Sequence, residues 1–301
     1  MSYSQNYEKW LNFEQLPDYL RQELLQMDEK TKEDAFYTNL EFGTAGMRGY
    51  IGAGTNRINI YVVRQATEGL AKLIETKGDE AKKRGVAIAY DSRHFSPEFA
   101  FESAQVLAQH GIKSYVFESL RPTPELSFAV RHLGTFAGIM ITASHNPAPF
   151  NGYKVYGEDG GQMPPADADA LTDFIRTIED PFTIALADLE ESKASGLIEV
   201  IGEAVDAEYL KEVKDVNINQ DLINEYGKDM KIVYTPLHGT GEMLARRALA
   251  QAGFDSVQVV EAQAVPDPDF STVKSPNPEN QEAFALAEEL GRKVDADVLV
   301  A

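Results

Sequence analysis

The chain contains no cysteine. Disulfide frameworks, thiolate metal sites and cysteine nucleophiles are therefore excluded, and the absence fits a reducing compartment. No apolar run approaches the roughly eighteen residues of a membrane-spanning helix. The opening residues, MSYSQNYEKWLNFEQ, lack the basic, apolar and small-residue sections of a secretory signal, so cytoplasm is the expected location. Cations are scarce: 28 Lys and Arg stand against 48 Asp and Glu, a net charge of −20. That balance argues against nucleic acid or an anionic membrane as partner, because both require a basic surface. An anionic small molecule would have to be held by a local group of Arg, Lys, His and backbone N–H donors strong enough to overcome the background field. Neither a Walker A pattern nor G-x-G-x-x-G is present, so ATP or dinucleotide binding is not indicated. The absence of a G-x-S-x-G elbow weakens a serine-hydrolase reading.

What is present is a globular chain of 301 residues, long enough for two domains. The first forty residues read as helical, with Tyr19, Leu20, Leu24, Leu25 and Met27 near helical spacing. A glycine-rich loop follows at 43–49, then a helix over about 59–76. Val86–Tyr90 reads as a buried strand. Ser96 and Pro97 predict a helix start, Ser as N-cap and Pro at the first helical position, ending at Gly111. Strands over 112–117 and 136–142 flank a helix over 124–133. This β-α-β-α-β order implies a parallel sheet covered by helices. A second such unit spans strands near 231–235, 256–260 and 296–301 and helices over 241–252 and 279–291. The acidic stretch 188–219 separates the units, and the boundary is set near 205, giving domains 1–205 and 206–301. The final apolar strand has no loop to lead it out of the sheet, so the chain is expected to be the front part of a longer protein.

Ligands in open parallel sheets bind beyond the carboxyl ends of strands. Three segments should meet there: Asp91-Ser-Arg93, Ser144-His145-Asn146 and Asn151-Gly-Tyr-Lys154. They bring a hydroxyl, an imidazole, a guanidinium and an ammonium to one rim, the inventory for moving a phosphoryl group. Against this stands the ordinary role of a serine at a strand-to-loop junction as a turn residue. His145 is expected to be a poor base for Ser144, because adjacent side chains point apart in extended backbone. Arg48 lies between the glycines of this segment, where a guanidinium can reach over a ligand. Pro236-Leu-His-Gly-Thr-Gly241 can be an anion-holding helix start or, more simply, a strand-to-helix turn. The acidic pairs Asp167/Asp169, Asp267/Asp269 and Asp295/Asp297 are read as capping or loop residues, and no metal is assigned to them.

Taken together, Phe42-Gly-Thr-Ala-Gly-Met-Arg-Gly49, Asp91-Ser-Arg93, Thr142-Ala-Ser-His-Asn-Pro147 and Asn151-Gly-Tyr-Lys-Val-Tyr-Gly-Glu-Asp-Gly-Gly161 resemble the α-D-phosphohexomutases, the family of phosphoglucomutase and phosphomannomutase. Thr235-Pro-Leu-His-Gly-Thr-Gly241 and Ser275-Pro-Asn-Pro-Glu279 are similar to that family's second domain, and Met47 stands where a leucine is expected. The N-terminal extension and the stretch 151–165 look like the larger phosphoglucomutase and phosphopentomutase branch. The resemblance implies two similar αβα domains, each with a mainly parallel mixed sheet. It implies a phosphorylated Ser144 that exchanges its phosphoryl group with a hexose monophosphate through a 1,6-bisphosphate, which also serves as activator. Ser144, Lys154, Arg48 and His145 would act at the reacting phosphate, with Arg48 electrostatic and Lys154 a base if its pKa is depressed. Thr44, Gly46, Arg93 and Asn146 would bind phosphate or substrate. Magnesium would be held by the Ser144 phosphate together with an Asp-rich loop past residue 301, so the fragment alone should be nearly inactive. Glucose, mannose and pentose phosphates remain open as substrates, as do a serine hydrolase and a non-catalytic sugar-phosphate-binding protein.

Overall fold

The structure is a computed structural model that describes residues 2–43 and 46–301. Among these residues, nine strands form two sheets. The strands are β1 (Met47–Tyr50), β2 (Val86–Tyr90), β3 (Ser114–Phe117), β4 (Ala137–Ile141), β5 (Phe150–Tyr156), β6 (Ile198–Ile201), β7 (Ile232–Tyr234), β8 (Val257–Val259) and β9 (Val298–Val300). The first sheet has the order β1-β5-β4-β2-β3-β6 and the second β8-β7-β9. Strands β4, β2, β3 and β6 are mutually parallel, whereas β5 runs antiparallel to β4 and to β1. The three strands of the second sheet are parallel.

Three helices precede the first sheet: α1 (Tyr3–Leu11), α2 (Asp18–Gln26) and α3 (Glu29–Phe36). Trp10, Leu20, Leu24 and Phe36 join them into one small core. Within and after the sheet lie α4 (Ile60–Glu75), α5 (Asp79–Arg84), α6 (Ser96–Gln109), α7 (Thr123–Leu133), α8 (Pro165–Arg176) and α9 (Leu189–Ala194), and α10 (Glu203–Asp215) runs across the expected boundary at 205 into the second unit. The second unit adds α11 (Gln220–Tyr226), α12 (Glu242–Ala252) and α13 (Ala285–Val294). Strand β2 is buried along its whole length. Its alternation explains the three layers: Val86, Ile88 and Tyr90 join the core under α4, α6 and α8, while Ala87 and Ala89 join the core under α7. In the second unit Val233 of β7 packs on Ala287 of α13.

The glycine stops are as expected at Gly111, Gly134 and Gly253, each with positive φ. Three expectations need correction. Ser96 is not an N-cap: Phe95 holds that position at φ 63°, and the Ser96 hydroxyl, inside the first turn, donates to Asp91. The acidic stretch 188–219 is not a plain separator, because it contains α9, the edge strand β6 and α10. Helix α10 packs against both α7 and α12. Strands β1 and β5 were not foreseen at all, and they frame the site.

Candidate active site

Strand β2 ends at Tyr90, and the carboxylate of Asp91 then ties together everything at that edge. Its Oδ1 accepts from the Arg93 backbone N–H at 2.9 Å and from the Ser96 hydroxyl at 2.8 Å. Its Oδ2 accepts from the Thr142 hydroxyl at 2.6 Å. Burial pushes the Asp91 carboxyl up from its ordinary pKa, against the pull of Thr142 and Arg93. Thr142 lies just past β4, and its Oγ1 in turn accepts the backbone N–H of Ser144 at 2.9 Å. Ser144 sits at φ 54°, in the left-handed region that non-glycine residues seldom occupy. The turn lifts Ser144 and His145 out of the sheet into solvent, both exposed.

This turn overturns the expectation of extended backbone at Ser144. Its Oγ lies 3.4 Å from His145 Nδ1. Among the described residues no carboxylate orients the other imidazole nitrogen, so the Ser-His-acid arrangement of a hydrolase is not assembled.

Arg93 lies beneath the loop, 2% exposed. Its guanidinium donates to the carbonyls of Ser144, Asn146, Pro147 and Phe150 at 2.8, 2.6, 3.0 and 2.9 Å. Its Nε is 3.2 Å from Asp91 Oδ2. The terminal nitrogens of Arg93 thus serve the loop carbonyls, in keeping with an expected role in supporting the loop. Desolvation lowers its pKa and the Asp91 charge opposes this.

Arg48 of β1 pairs across from Gly152 of β5. Lys154 is two residues further along β5, so Arg48 and Lys154 share one face of the sheet. Arg48 donates to Asn146 Oδ1 at 2.7 Å, which carries the guanidinium to the serine loop. Lys154 is half-buried, and desolvation followed by the nearby Arg48 charge lowers its pKa. Gly46 has φ 88°, and a Cβ there would meet the Tyr153 carbonyl oxygen at 2.2 Å. Its glycine is thus demanded by the close approach of β5. Thr44 lies outside the described residues. Asn151 was not singled out as a site residue. Buried, it donates to the His94 carbonyl and the Ser96 hydroxyl and so fixes β5 to the start of α6.

A cleft of about 550 Å³ opens between the two units, with Ser144, His145 and Thr123 on one side and Tyr234, Thr240 and Gly241 on the other. The second-unit turn repeats the first-unit device. Leu237 sits at φ 48°, and its N–H donates to Thr235 Oγ1 at 3.2 Å. His238 is buried: its Nδ1 lies 2.8 Å from the Val265 carbonyl and its Nε2 2.8 Å from the Thr272 hydroxyl. That makes the Thr235–Gly241 segment a built strand-to-helix turn. The units also touch directly, His94 Nε2 lying 2.8 Å from Asp269 and the Arg93 guanidinium 5.1 Å from the Phe270 ring centre.

An exposed serine on a left-handed turn beyond a parallel strand, with an arginine and a lysine on the adjoining strand pair, defines an α/β fold with a rim suited to phosphoryl groups. Residues 39–181 match phosphoglucomutase/phosphomannomutase α/β/α domain I, and residues 207–301 match α/β/α domain II. The chain belongs to the phosphoglucomutase/phosphomannomutase family, the α-D-phosphohexomutases. It is 40% identical to a phosphoglucomutase of Staphylococcus haemolyticus over 90% of its own length and 48% of that protein's. It is 41% identical to a Staphylococcus aureus phosphoglucomutase over 89% of its length and 47% of the relative's. The chain thus spans about half the length of the curated relatives it matches. In fold it is similar to a putative phosphomannomutase of Thermus thermophilus, with a TM-score of 0.65 at 24% identity, covering 84% of this chain and 52% of that one. It is also similar to the Paramecium phosphoglucomutase parafusin, with a TM-score of 0.63 at 19% identity, covering 86% and 48%.

Proposed function

We propose that the whole protein is an intramolecular phosphotransferase of phosphoglucomutase type that interconverts hexose 1-phosphate and hexose 6-phosphate through phospho-Ser144. The reading rests on one observation above all: Ser144 is exposed on a left-handed turn at the mouth of the cleft, with Arg48 and Lys154 on the neighbouring strands. Glucose is the proposed hexose, since the relatives that share 40% or more of the aligned residues are named phosphoglucomutases.

In the proposed cycle, the free hydroxyl oxygen of a hexose monophosphate attacks the phosphorus of phospho-Ser144. The bond from phosphorus to Ser144 Oγ breaks as the new phosphate ester forms. The hydroxyl proton passes to neutral Lys154, and a proton is returned to Oγ when the serine leaves. The hexose 1,6-bisphosphate reorients, and Ser144 Oγ attacks its other phosphorus, restoring the phosphoserine and releasing the isomer. Both partners are alcohols, so the exchange is nearly balanced and reversible. Added 1,6-bisphosphate activates by phosphorylating a bare Ser144. Arg48, always charged, stabilises the transferring oxygens, and His145 stands beside Oγ.

Magnesium is the proposed cofactor, and when bound it neutralises phosphate charge. Among the described residues no group of three or more His, Asp or Glu could hold a metal ion. What this chain offers a cation is therefore the phosphate oxygens of Ser144. No helix among the described residues is long and apolar enough to cross a membrane. We place the division of the two units at 205/206, the setting in the cytoplasm, and the sugar-selecting and phosphate-clamping parts in further domains of the same protein. Residues 1–301 alone should then turn over hexose phosphates negligibly.

The decisive assay compares the full-length protein with its Ser144→Ala variant on glucose 1-phosphate, with magnesium and a trace of glucose 1,6-bisphosphate. Mass spectrometry should find a phosphate on Ser144, and the variant should be inactive. Activity retained by the alanine variant would sink the phosphoserine mechanism. Faster turnover of mannose 1-phosphate would reassign the substrate.

A further inference from the structure

Beneath the serine loop lies the Arg93 side chain, which is itself covered by the second unit. Arg93 satisfies four loop carbonyls, among them those of Ser144 and Asn146. Its remaining open side faces the Phe270 ring, 5.1 Å from the guanidinium carbon. Phe270 is 5% exposed although it sits in a loop rather than a strand or helix. It is held at φ 50°, a conformation that a bulky residue keeps only where its surroundings over-determine it. Those surroundings are visible. The Asp267 carboxylate accepts the backbone N–H groups of Asp269 and Ser271 at 2.9 and 2.8 Å, bracketing Phe270. The Phe270 N–H donates to the Asp267 carbonyl, and Asp269 meets His94, the neighbour of Arg93.

We propose that Phe270 is a positioning residue of the second unit that sets the phosphoserine loop through Arg93. A cation over an aromatic face is attracted to it, and the attraction grows when water is excluded, as it is here. The ring holds the planar guanidinium in place beneath the loop and bars water from competing for its donors. Ser144 therefore takes its left-handed turn in register only when the Asp267–Ser271 turn is docked. The inference rests on the phosphotransfer reading for its meaning, but not for its test.

The experiment uses the full-length protein and two variants. Phe270→Leu keeps bulk and loses the aromatic face, while Phe270→Trp keeps the face. Amide hydrogen exchange is read at Ser144 and Asn146, with Val86–Tyr90 and Ile232–Tyr234 as internal references. Phe270→Leu should speed exchange in the loop several-fold, up to roughly thirty-fold, the size of a desolvated cation–π contact. The reference strands should not change, and Phe270→Trp should restore protection. Unchanged loop exchange in Phe270→Leu overturns the proposal, and so does faster exchange spread equally over the references. A second arm follows phosphorylation of Ser144 by glucose 1,6-bisphosphate. Phe270→Leu should lower the maximal rate by a similar factor with little change in the bisphosphate concentration for half-saturation; an effect confined to that concentration overturns the proposal. If unsubstituted protein takes up no phosphate, the phosphotransfer reading has failed, and the exchange data still decide the role of Phe270.

Discussion

Thr142 accepts the backbone N–H of Ser144 at 2.9 Å while its own hydroxyl donates to Asp91 at 2.6 Å. One hydroxyl thus links the serine turn to the end of the central strand. Replacing it with an isosteric methyl should cost both bonds. Thr142→Val should lower stability by about 1–3 kcal/mol, because a buried carboxylate oxygen and a loop N–H lose their partners. Urea denaturation of the variant measures the loss. Stability within error of the parent protein would mean that water or a shifted loop replaces the hydroxyl.

Lys154 supplies the second prediction. Burial and the Arg48 charge lower its pKa, so its neutral form is reached below the ordinary lysine range. If it is the base, the rate of sugar phosphorylation by the full-length protein should rise with pH through that lowered value and then level. Lys154→Met should remove the limb and slow the maximal rate by roughly 10²–10⁴-fold, the usual contribution of a positioned acid–base group. A pH profile unchanged by the substitution would assign the limb elsewhere.

The contact between α7 and α10 supplies the third. Arg121, 2% exposed, donates to both Asp206 oxygens at 2.8 Å. Glu125 is fully buried beside them, and neither of its oxygens finds a donor. Burial, then the Asp206 carboxylate, pushes Glu125 up to about 9. For Asp206, burial works upward, but the Arg121 fork and the proton of Glu125 override it and the pKa falls. Glu125 is therefore a neutral acid at pH 7, and Glu125→Gln should change stability there by under about 1 kcal/mol. Asp206→Asn breaks the buried fork and leaves Arg121 only the longer approaches of Glu118 at 3.6 Å and Glu125 at 3.7 Å, and should cost about 1–3 kcal/mol. Since the folded state favours protonated Glu125, the parent protein should lose stability as pH rises from the ordinary carboxylate range towards 9, and Glu125→Gln should lose less. Denaturation midpoints at pH 6 and pH 9 test both statements.

His110 gives the fourth. It ends α6, with Nε2 2.8 Å from Glu68 and Nδ1 3.0 Å from Glu75, both on α4. The hydrogen bond to Glu68 is the main cause of its raised pKa; burial opposes it and Glu75 adds to it. A raised histidine pKa stabilises the fold fully below the unfolded value of about 6.5, and the contribution disappears as pH climbs through the folded value. His110→Asn should be less stable than the parent protein at pH 6, and the gap should narrow by pH 9. A gap that does not depend on pH would show that the imidazolium is not the stabilising species.

The readable parts of the fold are those with a local cause. Strand β2 is a run of apolar residues buried on both faces, and Gly111, Gly134 and Gly253 stop helices because each takes positive φ at the end. Strand β5 was not readable, since Phe150–Tyr156 carries Asn, Gly and Lys and is defined by pairing with β4 on one side and β1 on the other. Strand β6 went unseen for a related reason: four residues in an acidic stretch become a strand only along the edge of β3.

At the site the division is similar. The motifs around Ser144, Arg48 and Lys154 showed the family in residue types alone, and the proposed chemistry follows from those types. The motifs could not say which loop carbonyls Arg93 meets, that Ser144 is left-handed, or that Phe270 comes from the other unit to cover Arg93. Those facts depend on which groups are buried together, and burial joins residues 54 and even 177 positions apart, well beyond the reach of any local pattern (Arg93 to Pro147, Arg93 to Phe270). Sequence determined which atoms are available for the proposed phosphoryl transfer; packing decided which of them face the cleft and which only hold the others in place.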